Sequence, residues 1–400
     1  GKGIINGLET LRGGITALNA GVGTAFTYLL TKERRSVREL LVPLLLIAVV
    51  VSVVVAGFVL AATLRTGWSP IAVVYAATVP ASVVLAWQSG IYLGLNRIAR
   101  LNSQTLALSI ACLAVVAVSG YVLHSGPFVA LVAWSLAIDV AALVMLVQVV
   151  PLGLGHGGGP LVDRASAAGL IGLGLKFGLY GVAGFLVYRL DSLLVAALLG
   201  ATSFGIYSLA VSAGELLFMI SRSVAAAAAH RIGSSEPGDS ASTTALAIRI
   251  STPAVALGAV GAYFAVAPLV HVLYGEAFDP AIAPVRILLP GIVAYASAGI
   301  FSQYLSLQMG RPIFMLLWNL VLLVLQGGAC LYLIPRMGLA GAALASTIAY
   351  VLSAIASTWY FSAVTAVPVS EIWMPRASDL SLAARAIADF AGLSRRGPTE

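Results

Sequence analysis

Residues 40–62, LLVPLLLIAVVVSVVVAGFVLAA, contain no charged side chain. A membrane-spanning helix needs about 20 apolar residues in a row, and this run supplies them. In water its β-branched residues would favour a strand. In lipid every backbone N–H and C=O must be paired within the segment, so an uninterrupted run of this length favours a helix. Comparable runs recur along the chain at 13–31, 70–94, 102–123, 127–150, 170–199, 204–229, 243–274, 281–308, 313–334 and 338–365.

These runs predict an all-α polytopic membrane protein with eleven spans. Charged residues make up 9% of the 400-residue chain, against about 25% for an ordinary soluble protein. The spans leave no room for a large soluble domain. The net charge of +7 sits mainly between spans, so it reads as a topology signal and not as a nucleic-acid surface.

Lys32, Arg34, Arg35, Arg38, Arg97, Arg100, Arg164, Arg231 and Arg311 fall on one side if the spans alternate, together with Arg376, Arg385, Arg395 and Arg396 of the tail. The opposite loops hold Arg65 and Arg336, and Lys2 and Arg12 precede the first span. The richer side is expected to be cytoplasmic, which puts the C-terminus inside.

The connection 151–168, PLGLGHGGGPLVDRASAA, reads as a flexible cytoplasmic linker. It separates an N-terminal bundle (1–150, five helices) from a C-terminal six-helix bundle (169–366), followed by a tail (367–400). YLGL at 92–95 and YLSL at 304–307 lie at a common offset that also superposes Gly126 on Gly338. Two related halves are a common plan for a transporter, with the substrate site near their interface. Equivalence of the halves implies a twelve-span protein whose first span is missing here, leaving two pseudo-symmetric bundles around a central cavity. In the tail, 378–393 can form an amphipathic helix on the membrane surface.

Charges inside spans are the default functional candidates. They are Asp139, Lys176, Arg189, Asp191, Glu215, Arg222 and Arg286. Lys176 and Arg222 lie near span ends, where long side chains reach the interface. Arg286 is a gate or structural charge, with Glu276 and Asp279 as its expected partners. Arg189 and Asp191 lie mid-span and project about 200° apart around the helix, so they serve different neighbours. Glu215 can pair with Arg189 or with Lys176. Arg189 could alternatively hold an anionic ligand, because a guanidinium binds phosphate through two hydrogen bonds and stays charged. Gln88, Ser89, Asn102 and Gln104 in the first half, and Ser302, Gln303, Asn319 and Gln326 in the second, could serve a sugar headgroup or tie helices together.

No P-loop, GxSxG elbow, HExxH or paired-aspartate metal motif occurs. His124, His156, His230 and His271 are scattered, and Cys112 and Cys330 sit in apolar runs as small hydrophobes. An enzyme, a metal and an organic cofactor are therefore not expected.

FGLYGVAGFLVYRLDSLLVAALLGATSFGIYSLAVSAGELLF (177–218) resembles the start of the second half of bacterial oligosaccharide flippases of the multidrug/oligosaccharidyl-lipid/polysaccharide exporter superfamily. VLYGEAFDPAIAPVRILLPGIVAYA (272–296) and the stretch 310–354 are similar to later parts of the same half, and GITALNAGVGTAFTYLL (14–30) to the family's second helix. The resemblance implies a monomer of two six-helix bundles around an often cationic cavity. The implied activity is flipping of a polyprenyl-pyrophosphate-linked oligosaccharide from the cytoplasmic to the external leaflet of a bacterial plasma membrane by alternating access. It aligns Arg189 with a cavity-facing charge of the seventh family helix and Asp191 with an acidic position of the same helix. Na+ or H+ coupling is compatible with it, although no pattern here marks an ion site. The alternatives are a drug/cation antiporter of the same superfamily, which favours acidic cavity residues, and a polysaccharide polymerase or ligase, which the short external loops disfavour.

Overall fold

The computed structural model describes residues 2–64, 69–119, 124, 127–154, 164–376 and 379. Among them are eleven α-helices and no strand: α1 (Lys2–Thr31), α2 (Val37–Leu64), α3 (Ser69–Gly94), α4 (Ile98–Ala117), α5 (Pro127–Leu154), α6 (Arg164–Ser234), α7 (Pro237–Tyr274), α8 (Ile282–Gln303), α9 (Pro312–Met337), α10 (Leu339–Thr365) and the short α11 (Val369–Trp373). Eight helical segments of the described residues are long and apolar enough to cross a membrane. Large apolar side chains stand outward, with Leu257 at 75% and Val324 at 76% exposure. Lipid is the solvent that makes such a surface stable. The chain is an all-α polytopic membrane protein.

Each expected span overlaps a helix, and α6 contains two of them; the span 281–308 extends past both ends of α8, and residues 120–123 of the span 102–123 lie outside the described residues. Its 71 residues would reach roughly 105 Å if straight, far beyond a hydrocarbon core of about 30 Å. Gly200, at φ 84° and ψ 177°, interrupts it. Arg189 and Glu215 are 26 positions apart yet 2.7 Å from each other, where a straight helix would separate them by about 39 Å. The two arms of α6 therefore fold back antiparallel about Gly200. That combination of φ and ψ is nearly closed to residues with a Cβ.

The described residues form two compact units. One lies within Gly1–Phe185 and Gly310–Leu316, the other within Leu186–Met309 and Leu317–Glu400. The division falls inside the first arm of α6. The middle of the expected Gly-rich linker, 155–163, lies outside the described residues, as does the expected tail helix apart from Asp379.

In the N-terminal unit α3 packs on α1, α2 and α5. Gly23 of α1 meets Gly90 of α3, and Gly21 meets Gly178 of α6, so closely that a Cβ on Gly90 or on Gly21 would collide with the facing backbone. Small residues let spanning helices approach to backbone contact, where packing replaces the hydrophobic effect that lipid does not supply. The same approach allows Thr27 Oγ1 to donate to the Gly90 carbonyl at 2.7 Å and Trp87 Nε1 to the Asn19 carbonyl at 2.8 Å.

In the C-terminal unit α8 packs between α7 and α10. Beyond α10 the chain turns at Ala366 (φ 57°) and α11 docks back. Ile372 is fully buried, and Trp373 Nε1 donates to Thr358 Oγ1 at 3.2 Å. Arg249 of α7 anchors this segment. Its Nε donates to Asp379 Oδ2 at 2.8 Å and its Nη1 donates to the Glu371 carbonyl.

Candidate functional site

Arg189, Asp191, Glu215 and Arg222 of the C-terminal unit lie where the arms of α6 meet α8, α9 and α10. The first arm carries Tyr188, Arg189 and Asp191. The second carries Tyr207, Glu215, Phe218 and Arg222. Helical periodicity sends Arg189 and Asp191 to different faces, and the environments of the two differ accordingly.

Asp191 is buried, at 1% exposure. It accepts from Tyr207 Oη at 2.7 Å, Ser346 Oγ at 2.7 Å and the Ser192 backbone N–H at 2.6 Å. Ser346 Oγ in turn accepts from Gln326 Nε2 at 3.0 Å. This node joins both arms of α6 to α9 and α10. A carboxylate at this depth is tolerable only with such partners. The Gln326 Oε1 atom is buried and without a hydrogen-bond partner.

Arg189 lies on the more open face. Its Nη2 donates to Glu215 Oε1 at 2.7 Å, with the two side chains 32% and 39% exposed. Of the two partners the sequence left open to Glu215, Arg189 is the one it pairs with among the described residues. Arg222 is exposed and holds its guanidinium 5.7 Å from the Tyr188 ring centroid, a cation–π distance. Tyr188, Phe218, Tyr295 and Tyr350 form an aromatic cluster beside the pair. Tyr295 and Tyr350 stack with centroids 4.7 Å apart, and Tyr188 meets Tyr295 edge-on at 5.3 Å. A void of ≈ 10 Å³ among Tyr188, Asp191, Glu215 and Tyr350 has room for about one water.

The other candidates lie elsewhere. Lys176 is exposed on the part of α6 that belongs to the N-terminal unit. Asp139 is partly buried on α5, and Gln303 is half-buried at the end of α8. A π-helical stretch, Tyr304–Gln308, follows Gln303; such stretches are frequent at functional sites. Arg286 does not pair with Glu276 or Asp279 as expected. Its guanidinium lies 4.8 Å from the Tyr263 ring centroid and its Nε donates to the Tyr263 carbonyl at 3.2 Å. Asp279 is engaged by His271 at 3.0 Å. Among the described residues no three His, Cys, Asp or Glu side chains come together as a metal site.

Gln88 is buried in the N-terminal unit, where its Nε2 donates to Gln104 Oε1. Gln104 Nε2 donates to Gln148 Oε1, which also accepts from Tyr92 Oη at 3.3 Å. Sequence reasoning picked out Gln88 and Gln104 but passed over Gln148 and Tyr92. It also passed over Arg249, a charge in the first half of a 38-residue helix.

No protein-family model matches the sequence, and a search of curated proteins gives no match. Solved structures do match. A MATE transporter in complex with MaL6 aligns over 91% of this chain and 88% of its own, at TM-score 0.76 and 19% identity. A multidrug resistance MATE family transporter of the MOP superfamily, in an outward-facing conformation, aligns over 91% and 87% at TM-score 0.73 and 16% identity. A MOP superfamily transporter from Pyrococcus furiosus Vc1, described as having a binding pocket of reverse polarity that suggests a different function, aligns over 88% and 85% at TM-score 0.73 and 18% identity. The chain has the fold of these transporters.

Proposed function

We propose that the protein is a transporter that flips a polyprenyl-pyrophosphate-linked oligosaccharide across a bacterial plasma membrane, from the cytoplasmic to the external leaflet, by alternating access. One observation carries this reading. On the accessible face of the C-terminal unit two guanidinium groups, Arg189 and Arg222, stand against one carboxylate, Glu215, while the second carboxylate, Asp191, is consumed in a buried node. The excess charge is positive, and an arginine holding one carboxylate through a single nitrogen keeps further donors for a phosphate.

The physical task suits such a site. Sugars and phosphates cannot cross hydrocarbon unaided, and a cavity that opens to one face at a time removes that barrier while the lipid tail stays in the bilayer. An inside-negative potential favours outward movement of an anion by about 2.3 kcal/mol per charge per 100 mV.

The aromatic cluster next to Glu215 supports a second reading, a drug/cation antiporter, because ring faces and a carboxylate together suit an organic cation. The two readings differ in sign. Arg189→Ala removes a phosphate ligand but releases Glu215. In a correctly inserted variant, flippase function requires glycan export to fail and lipid-linked precursor to accumulate on the inner leaflet. Unchanged export, or stronger efflux of a cationic dye by the variant, would favour the antiporter.

A further inference from the structure

The N-terminal unit has a recess of ≈ 190 Å³ between α3, α4 and α5, open along the exposed residues Ala107, Ala111, Val140 and Val144. Its walls come from two helical stripes with the same spacing. Gln104, Ala107, Leu108 and Ala111 recur at i, i+3, i+4 and i+7 on α4, and Ala137, Val140, Ala141 and Val144 recur likewise on α5. Each stripe is one face of its helix. The alanines leave the space that leucines would fill. The lining contains no charged residue, and Asp139 lies off the α5 stripe by the same periodicity.

The polar part of the lining is amide. Gln88 and Gln104 belong to the chain that runs from Gln88 through Gln104 to Gln148, closed by Tyr92. Gln88 and Gln104 each use one of their two amide N–H groups on the next residue of this chain, so donors remain for a ligand atom.

We propose that this recess binds an uncharged amphiphile, one apolar ring or chain end carrying a hydroxyl or carbonyl group. An enclosed apolar cavity of about 150 Å³ in another protein binds benzene, so this recess has room for a single substituted ring, with its open side left to lipid. An ion would enter walls that offer it no counter-charge, at a cost of several kcal/mol. A free sugar has more hydroxyls than two amides can pair. A bare acyl chain would leave the amides facing hydrocarbon. The inference is independent of which substrate the C-terminal unit handles.

The test uses the full chain in lipid nanodiscs and photoreactive probes with one ten-carbon chain and three heads: hydroxyl, trimethylammonium and phosphate. Crosslinked residues are mapped by mass spectrometry. The hydroxyl probe should label 104–111 and 137–144 saturably, in competition with decanol, and about tenfold more strongly than either charged probe. Ala111→Trp should remove that labelling, and Ala137→Leu, a smaller filler, keeps the question decidable if the tryptophan variant does not insert. Gln104→Leu should weaken the hydroxyl probe about three- to tenfold. Equal labelling by all three heads, or labelling that neither filler moves, overturns the proposal and leaves a gap occupied by ordinary lipid.

Discussion

Both units hold helices together through close glycine contacts, in the C-terminal unit Gly291 against Thr347, but they differ in the polar groups they add. The N-terminal unit relies on bare backbone contact, Gly23 against Gly90 and Gly21 against Gly178. The recess between its α3, α4 and α5 is lined by apolar residues and two amides, without a charge. The C-terminal unit adds a buried carboxylate whose partners lie on both arms of α6 and on α10. It also has a charged, half-exposed pair beside aromatic rings. Lipid explains why both means are needed. Helices already dissolved in hydrocarbon gain little from further apolar burial, so close packing and polar bonds decide which helices associate. A unit built on a buried charge has to satisfy that charge first, and the remaining charges are then left to face a ligand.

The largest expected effect tests the carboxylate node. Asp191→Ala leaves Tyr207 and Ser346 buried without their acceptor, at about 1–3 kcal/mol for each orphaned group. Thermal unfolding in detergent should show a large loss of stability or no folded protein. A midpoint within a degree or two of wild type would mean that the node does not hold the C-terminal unit together.

Gly90→Ala tests the other mechanism. The added methyl collides with the Gly23 backbone, which no rotamer change can relieve, so α1 and α3 must separate. The expected loss is about 1–3 kcal/mol, as for overpacking elsewhere, and Gly23→Ala should not add to it fully because both substitutions open one contact. Additive losses would show that the two glycines do not share that contact.

The smallest effect concerns the tail. Burial works to raise the Asp379 carboxyl, but the Arg376 backbone N–H and the Arg249 guanidinium hold it below the usual carboxylate range. A depressed carboxyl contributes stability that is present above its unfolded value, about 3.9, and is lost as pH falls through the lower folded value. Proteolysis of the segment after α10 should therefore be slow and flat from pH 5 to 8 and faster only in stronger acid. Asp379→Asn should raise the rate at neutral pH and remove the acid limb. A variant with an unchanged acid limb would assign that limb to another group.

Much of the fold was legible because its causes are local. Length and hydropathy fix each span, and Gly200 in LLGATS marks the break that makes one helical run into a hairpin. The charged candidates were legible for the same reason, since a charge in an apolar run is conspicuous. Arg249 was missed because its partners, Asp379 and the Glu371 carbonyl, lie more than a hundred positions away. Gln148 and Tyr92 were missed because a lone amide or phenol in a span carries no mark of what it meets.

By itself the sequence determined the solvent, the helical class, the runs that become spans, and that Arg189 and Asp191 could not share a face. Periodicity assigns two residues of one helix to different directions, but it does not say what stands in either direction. The tertiary structure alone decided that Asp191 points into the node of Tyr207 and Ser346 while Arg189 stays on the open side with Glu215. Burial depends on neighbouring helices distant in sequence, and the antiparallel return of α6 with the packing of α10 brought them there.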